Sequence, residues 1–136
     1  MEVPFDILGT VIPGSQRGRE LGYATANVAL PTELPDSADG IYAARVTVLG
    51  IEKPFMAAAF IGKPTTFANE PRRAEAHLLD YDATKHGELA GKEIAITFVY
   101  FIRKSKRFSS PEELSAAISG DVRATQRFFE SDHPAA

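Results

Sequence analysis

Residues 93–102 read "EIAITFVYFI", and their spacing decides the fold. A strand points successive side chains to opposite faces. Ile94, Ile96, Phe98, Tyr100 and Ile102 therefore share one face, and Ala95, Thr97, Val99 and Phe101 the other. The first set is bulky enough to build a core. Working outward, similar runs occur at 5–12 "FDILGTVI", 40–50 "GIYAARVTVLG", 54–62 "PFMAAAFIG" and 73–81 "RAEAHLLDY", separated by clusters rich in Gly, Pro, Asp or Asn. Short strands punctuated in this way predict a small antiparallel barrel or sandwich. Past residue 108 the pattern changes to "SSPEELSAAISGDVRATQRFFE". Ser110 precedes Glu113 by three positions with Pro111 between them, a capping box with proline at the first helical position. Leu114, Ala117 and Ile118 fall on one helical face. Gly120 reads as the end of that helix and Asp121 as the cap of a second one carrying Val122, Phe128 and Phe129. These helices are expected to close one end of the barrel.

Composition narrows the function. A chain of 136 residues fits one domain, 1–136, able to bury about two thirds of its unfolded surface. At 44% hydrophobic and 24% charged it reads as soluble and globular, with no apolar run near the roughly 20 residues of a membrane span. The absence of cysteine excludes disulfides, thiolate zinc sites and a cysteine nucleophile. The opening "MEVPFDILGT" lacks a basic region followed by an apolar core, so a cytoplasmic location is expected. A net charge of −3 argues against nonspecific nucleic-acid binding, which needs clustered Lys and Arg.

Several residues carry chemistry. Gly14, Gly18 and Gly22 are spaced by four with Arg17 and Arg19 among them, a pattern able to hold a polyphosphate through backbone N–H groups and guanidinium forks. A surface turn with solvated arginines is the competing reading. Thr25 and Asn27 are two apart, so in an extended segment both side-chain oxygens point the same way, as a hard cation requires. Two half-buried polar residues at a strand end would look the same. Glu75 would stand in an otherwise apolar ladder, either as a general base or as an exposed partner of Arg72 or Arg73. His77 shares the Glu75 face and reads as structural, with no companion ligands at zinc spacing. Arg103, Lys106 and Phe108 close the "FIRKSKRF" segment, a solvated basic turn unless an aromatic ligand stacks there.

In order and spacing, "GTVIPGSQRGRELGYATANVALP", "DGIYAARV", "AAFIGKPTTF", "AEAHLLDY", "GKEIAITFVYFIRKSKRFSSPEEL" and "ISGDVRAT" resemble the riboflavin kinase family, from about Gly9 to Phe128. The resemblance implies a mainly β fold, a six-stranded antiparallel Greek-key barrel with C-terminal helices. It implies transfer of the ATP γ-phosphate to the terminal ribityl hydroxyl of riboflavin, giving FMN and ADP, with Mg²⁺ or another divalent cation. Carried over to this chain, it makes Thr25 and Asn27 the metal residues and Glu75 the catalytic carboxylate. Gly14, Arg19, Thr25, Leu78 and Asp80 match positions at the nucleotide, and Arg103, Lys106 and Phe108 positions at the flavin. A monomer with no membrane or nucleic-acid partner is expected. Ala24 departs from the proline of the family's Pro-Thr-Ala-Asn element, "IGKPTTF" carries its proline one place early, and either His86 or Ala90 takes the place of an aromatic nucleotide contact. A noncatalytic flavin- or nucleotide-binding module on the same barrel is the alternative.

Overall fold

A computed structural model describes residues 2–12, 23–63 and 71–131. The strands are β1 (Phe5–Thr10), β2 (Ala24–Ala29), β3 (Gly40–Val48), β4 (Phe55–Gly62), β5 (Arg73–Leu78) and β6 (Glu93–Arg103). Two helices, α1 (Ala83–His86) and α2 (Pro111–Ser131), follow β5 and β6. One antiparallel sheet of six strands runs β1-β6-β3-β4-β5-β2. Three successive strands, β3 to β5, pair in turn, and β6 returns beside β3, which is the Greek key. The sheet curls until its edges meet, where the Ile12 N–H donates to the Asn27 carbonyl at 2.8 Å. The mainly β architecture is thus the one the alternating runs predict, with the Thr25–Asn27 segment supplying β2.

The concave side is the core. Ile7, Val28, Val46, Ile61, Leu78, Ile96 and Phe98 are almost wholly excluded from solvent. Removing an aromatic ring such as Phe98 would cost about 3–5 kcal/mol, because the cavity adds to the lost transfer energy. Tyr42 packs edge-on to Phe98 and Phe5 at 5.2 and 5.6 Å, and its hydroxyl donates to the Ala38 carbonyl at 2.7 Å. Its polar atom is therefore buried at little cost. Gly40 has φ +151°, and the Phe101 ring occupies the space a Cβ would need. Both facts require glycine there.

Expectations for β6 and for the C-terminal helices are corrected. In β6 the alternation holds through Phe98 and is then offset. Ala44 faces Phe98, but Ala43 faces Tyr100, Tyr42 faces Phe101 and Ile41 faces Arg103. Val99 and Ile102 are the extra residues, each a β-bulge. Phe101 takes the inward position beside Tyr42, with centroids 5.3 Å apart, while Tyr100 turns outward and stacks on Phe128 at 4.7 Å.

The two predicted helices are one, 21 residues long. Its start is as expected, with the Glu113 N–H donating to Ser110 Oγ at 3.1 Å, although the Glu113 carboxylate reaches back to the N–H and hydroxyl of Ser109. A glycine inside a helix costs only about 1 kcal/mol relative to alanine, so Gly120 does not stop it. Asp121 caps nothing. Its carboxylate accepts from Arg103 Nε and Nη2, both at 2.9 Å, a bidentate pair that holds the middle of α2 to the end of β6. The helix lies along the convex face rather than across the barrel end. Val122 packs with Ala58 and Leu79, and the Arg45 guanidinium sits 5.0 Å over the Phe129 ring.

Candidate active site

Ala26, Val28, Ala74, Ala76 and Leu78 point into the core. Their alternate neighbours on β2 and β5 must then point outward. Register decides what meets there, with Asn27 directly opposite Glu75 and Thr25 opposite His77. The same line continues across the sheet from Glu75 to Phe60, from Phe60 to Ile41, and from Ile41 to Arg103. Asn27, Glu75 and Arg103 therefore lie in one row across the convex face, on the order of 20 Å along the curved surface at about 4.8 Å per strand. The expected metal residues and catalytic carboxylate adjoin, and the expected flavin residues stand at the far end.

Thr25 Oγ1 and Asn27 Oδ1 are buried and have no hydrogen-bond partner among the described residues. Asn27 is only 2% exposed. A buried acceptor left unpaired costs about 1–3 kcal/mol, which a ligand would recover. Two neutral oxygens suit a hard divalent cation that keeps several waters and shares phosphate oxygens. The donor set fits the expected metal.

Glu75 is largely buried, its side chain 14% exposed. Its Oε1 lies 3.1 Å from His77 Nε2 and its Oε2 3.5 Å from Arg73 Nη2. Features of both sequence readings coexist, a mostly desolvated carboxylate and an arginine neighbour. Arg72 turns away and binds the β2–β3 connection, its Nε donating to Asp39 at 3.0 Å and its Nη1 and Nη2 to the Leu34 and Pro35 carbonyls at 3.1 Å.

Of the other expected residues, Leu78 has its side chain in the core, and Asp80 is exposed with φ 62° just past the end of β5. Gly14 and Arg19, like the rest of the glycine-rich loop, lie outside the described residues. His86 packs against Phe55 and Tyr81 at 5.7 and 5.4 Å, whereas Ala90 is exposed. Arg103 at the end of β6 and Lys106 just past it come within 5.9 and 5.7 Å of the Phe108 ring centroid, so these three are brought together. Two further residues adjoin this set: Asp121, which the sequence read as a cap and which instead binds Arg103, and His77, which parity already put on the face of Glu75. Nothing local in the sequence tied Asp121 to Arg103.

A family model described as riboflavin kinase (flavokinase) matches residues 1–129. The trifunctional protein RibF/MnmA of Mycoplasmoides gallisepticum is 40% identical over 126 residues, covering 93% of this chain and 18% of that protein. The bifunctional riboflavin kinase/FMN adenylyltransferase of Escherichia coli K12 is 38% identical over 132 residues, covering 97% of this chain and 40% of that protein. The chain thus spans less than half the length of either relative. The crystal structure of riboflavin kinase from Trypanosoma brucei superposes with a TM-score of 0.62 at 25% identity, covering 95% of this chain and 82% of that one.

Proposed function

The chain belongs to the riboflavin kinase family, and on that premise we propose how its own residues convert riboflavin and ATP to FMN and ADP. The observation that carries the reading is the pair of unpartnered buried oxygens, Thr25 Oγ1 and Asn27 Oδ1, set beside Glu75 by the β2–β5 register. Thr25 and Asn27 would hold Mg²⁺ or a similar divalent cation, and the chemistry such an ion supplies is neutralisation of phosphate charge. Glu75 would orient the terminal ribityl hydroxyl and take its proton as that oxygen bonds to the γ-phosphorus and the bond to the β-phosphate oxygen breaks. Phosphoryl transfer passes through a loose transition state, so positioning carries most of the catalysis. Gly14 and Arg19 would bind the polyphosphate and Asp80 would flank it, with Leu78 able to take part through its main chain. Arg103, Lys106 and Phe108 would cover the flavin, Arg103 doing so while clasped by Asp121. Residues 1–136 are read as one kinase-like domain in a cytoplasmic, monomeric setting with no membrane partner; the further reading of no nucleic-acid partner is in keeping with the net charge of −3.

Glu75→Gln tests the assignment. It keeps size and hydrogen-bonding shape, so both substrates should still bind. FMN formation in a single turnover should fall on the order of 10²-fold, the lower end for loss of a general base, because a loose transition state asks for little proton removal. An unchanged rate in a variant with an unchanged thermal melt would end the claim that Glu75 is the base.

A further inference from the structure

We infer that His77 is a positioning residue that fixes the Glu75 carboxylate for proton transfer, an inference resting on the reading of Glu75 as base. His77 is nearly buried, 7% exposed, and its Nε2 is 3.1 Å from Glu75 Oε1. A general base must be ionised and then only accepts, so on the reading of Glu75 as base Nε2 carries the hydrogen of that bond. The ring has a second contact besides Glu75. It stacks beside Tyr23, with centroids 6.4 Å apart and planes 28° from parallel, and its cross-strand neighbours are the small residues Thr25 and Ala58. A glutamate alone samples several rotamers, and catalytic geometry tolerates little of that freedom. His77 holds Oε1 while Arg73 Nη2 lies 3.5 Å from Oε2, so the hydrogen bond to the ring fixes the rotation of a carboxylate whose other oxygen already faces a cation. Glu75 and His77 stand two apart on one face, opposite Asn27 and Thr25, so base, holder and cation residues form one block of four across two paired strands.

A histidine that merely fills space would affect stability and leave turnover alone. His77→Phe keeps the ring and its packing but removes the donor, and His77→Leu carries the same test should Phe not fit. His77→Gln restores an N–H at similar reach. The phenylalanine variant should lose roughly 10- to 100-fold in kcat, the range of one hydrogen bond to a charged group. The KM for MgATP and the riboflavin affinity, read from flavin fluorescence, should stay within about twofold. Glutamine should recover most of the loss, and adding His77→Phe to Glu75→Gln should cost little more than Glu75→Gln alone, because the two act as a unit. Full turnover in the folded Phe or Leu variant, failure of Gln to rescue, or losses that add in the double variant would overturn the inference while the base assignment stands. Wild-type turnover in Glu75→Gln alone would remove both.

Discussion

The main chain of Asn27 closes the sheet through Ile12, while its side-chain oxygen faces outward beside that of Thr25 with no protein partner among the described residues. The sign of one substitution follows. Thr25→Val removes the hydroxyl at constant shape, so without nucleotide the protein should melt at the same temperature or higher, since an unpartnered buried oxygen stabilises nothing. Use of MgATP should nevertheless weaken by about tenfold or more, with riboflavin affinity unchanged, because only one substrate brings the cation. Thermal melts and steady-state titrations of each substrate check this, and a loss of more than about 1 kcal/mol in the ligand-free melt would show that the hydroxyl already had a partner. At this scale the sequence was highly legible. Parity alone puts Thr25 with Asn27 and Glu75 with His77. It does not reveal that Asn27 faces Glu75, because the partner of a strand is a long-range choice that local spacing does not encode.

The same limit governs whole elements. Strand positions were readable because each run alternates between turn residues, but a bulge is one extra residue with no compositional mark, so the offset in β6 was invisible. The break expected at Gly120-Asp121 used sound local signals, and the clasp to Arg103 overrode them. The continuity of α2 makes a prediction. A Cβ at Gly120 would meet nothing closer than Arg123 Nη2 at 3.9 Å, an ordinary distance. Gly120→Ala should therefore stabilise the protein by about 0.5–1 kcal/mol, through helix propensity and a less flexible unfolded chain. Urea denaturation measures it, and a destabilised variant would show that the helix is broken there after all.

Across the whole molecule, the Arg103–Asp121 pair joins the convex helix to the strand that ends at the flavin side of the row. Asp121→Ala leaves Arg103 without that partner and should cost about 1–3 kcal/mol, the upper figures being discounted because Arg103 keeps some solvent. Riboflavin affinity should fall and MgATP affinity should hold, because the cation residues belong to the opposite end of the row. Substrate titrations beside a denaturation curve separate the two effects, and equal weakening of both substrates would argue for general loosening instead. The bulges at Val99 and Ile102 have a further consequence for this arrangement. Continued from the Ala44–Phe98 pair in plain register, β6 would set Arg103 opposite Asp39, two residues or about 7 Å beyond the row that holds Glu75. The surplus residues act as take-up in a measuring tape, letting a long strand finish level with its neighbours. Conservative exchanges at either position should matter little, whereas loss of a single codon there would be a frameshift in space, moving the flavin end of the site relative to the phosphate end while leaving every other residue of the chain unaltered.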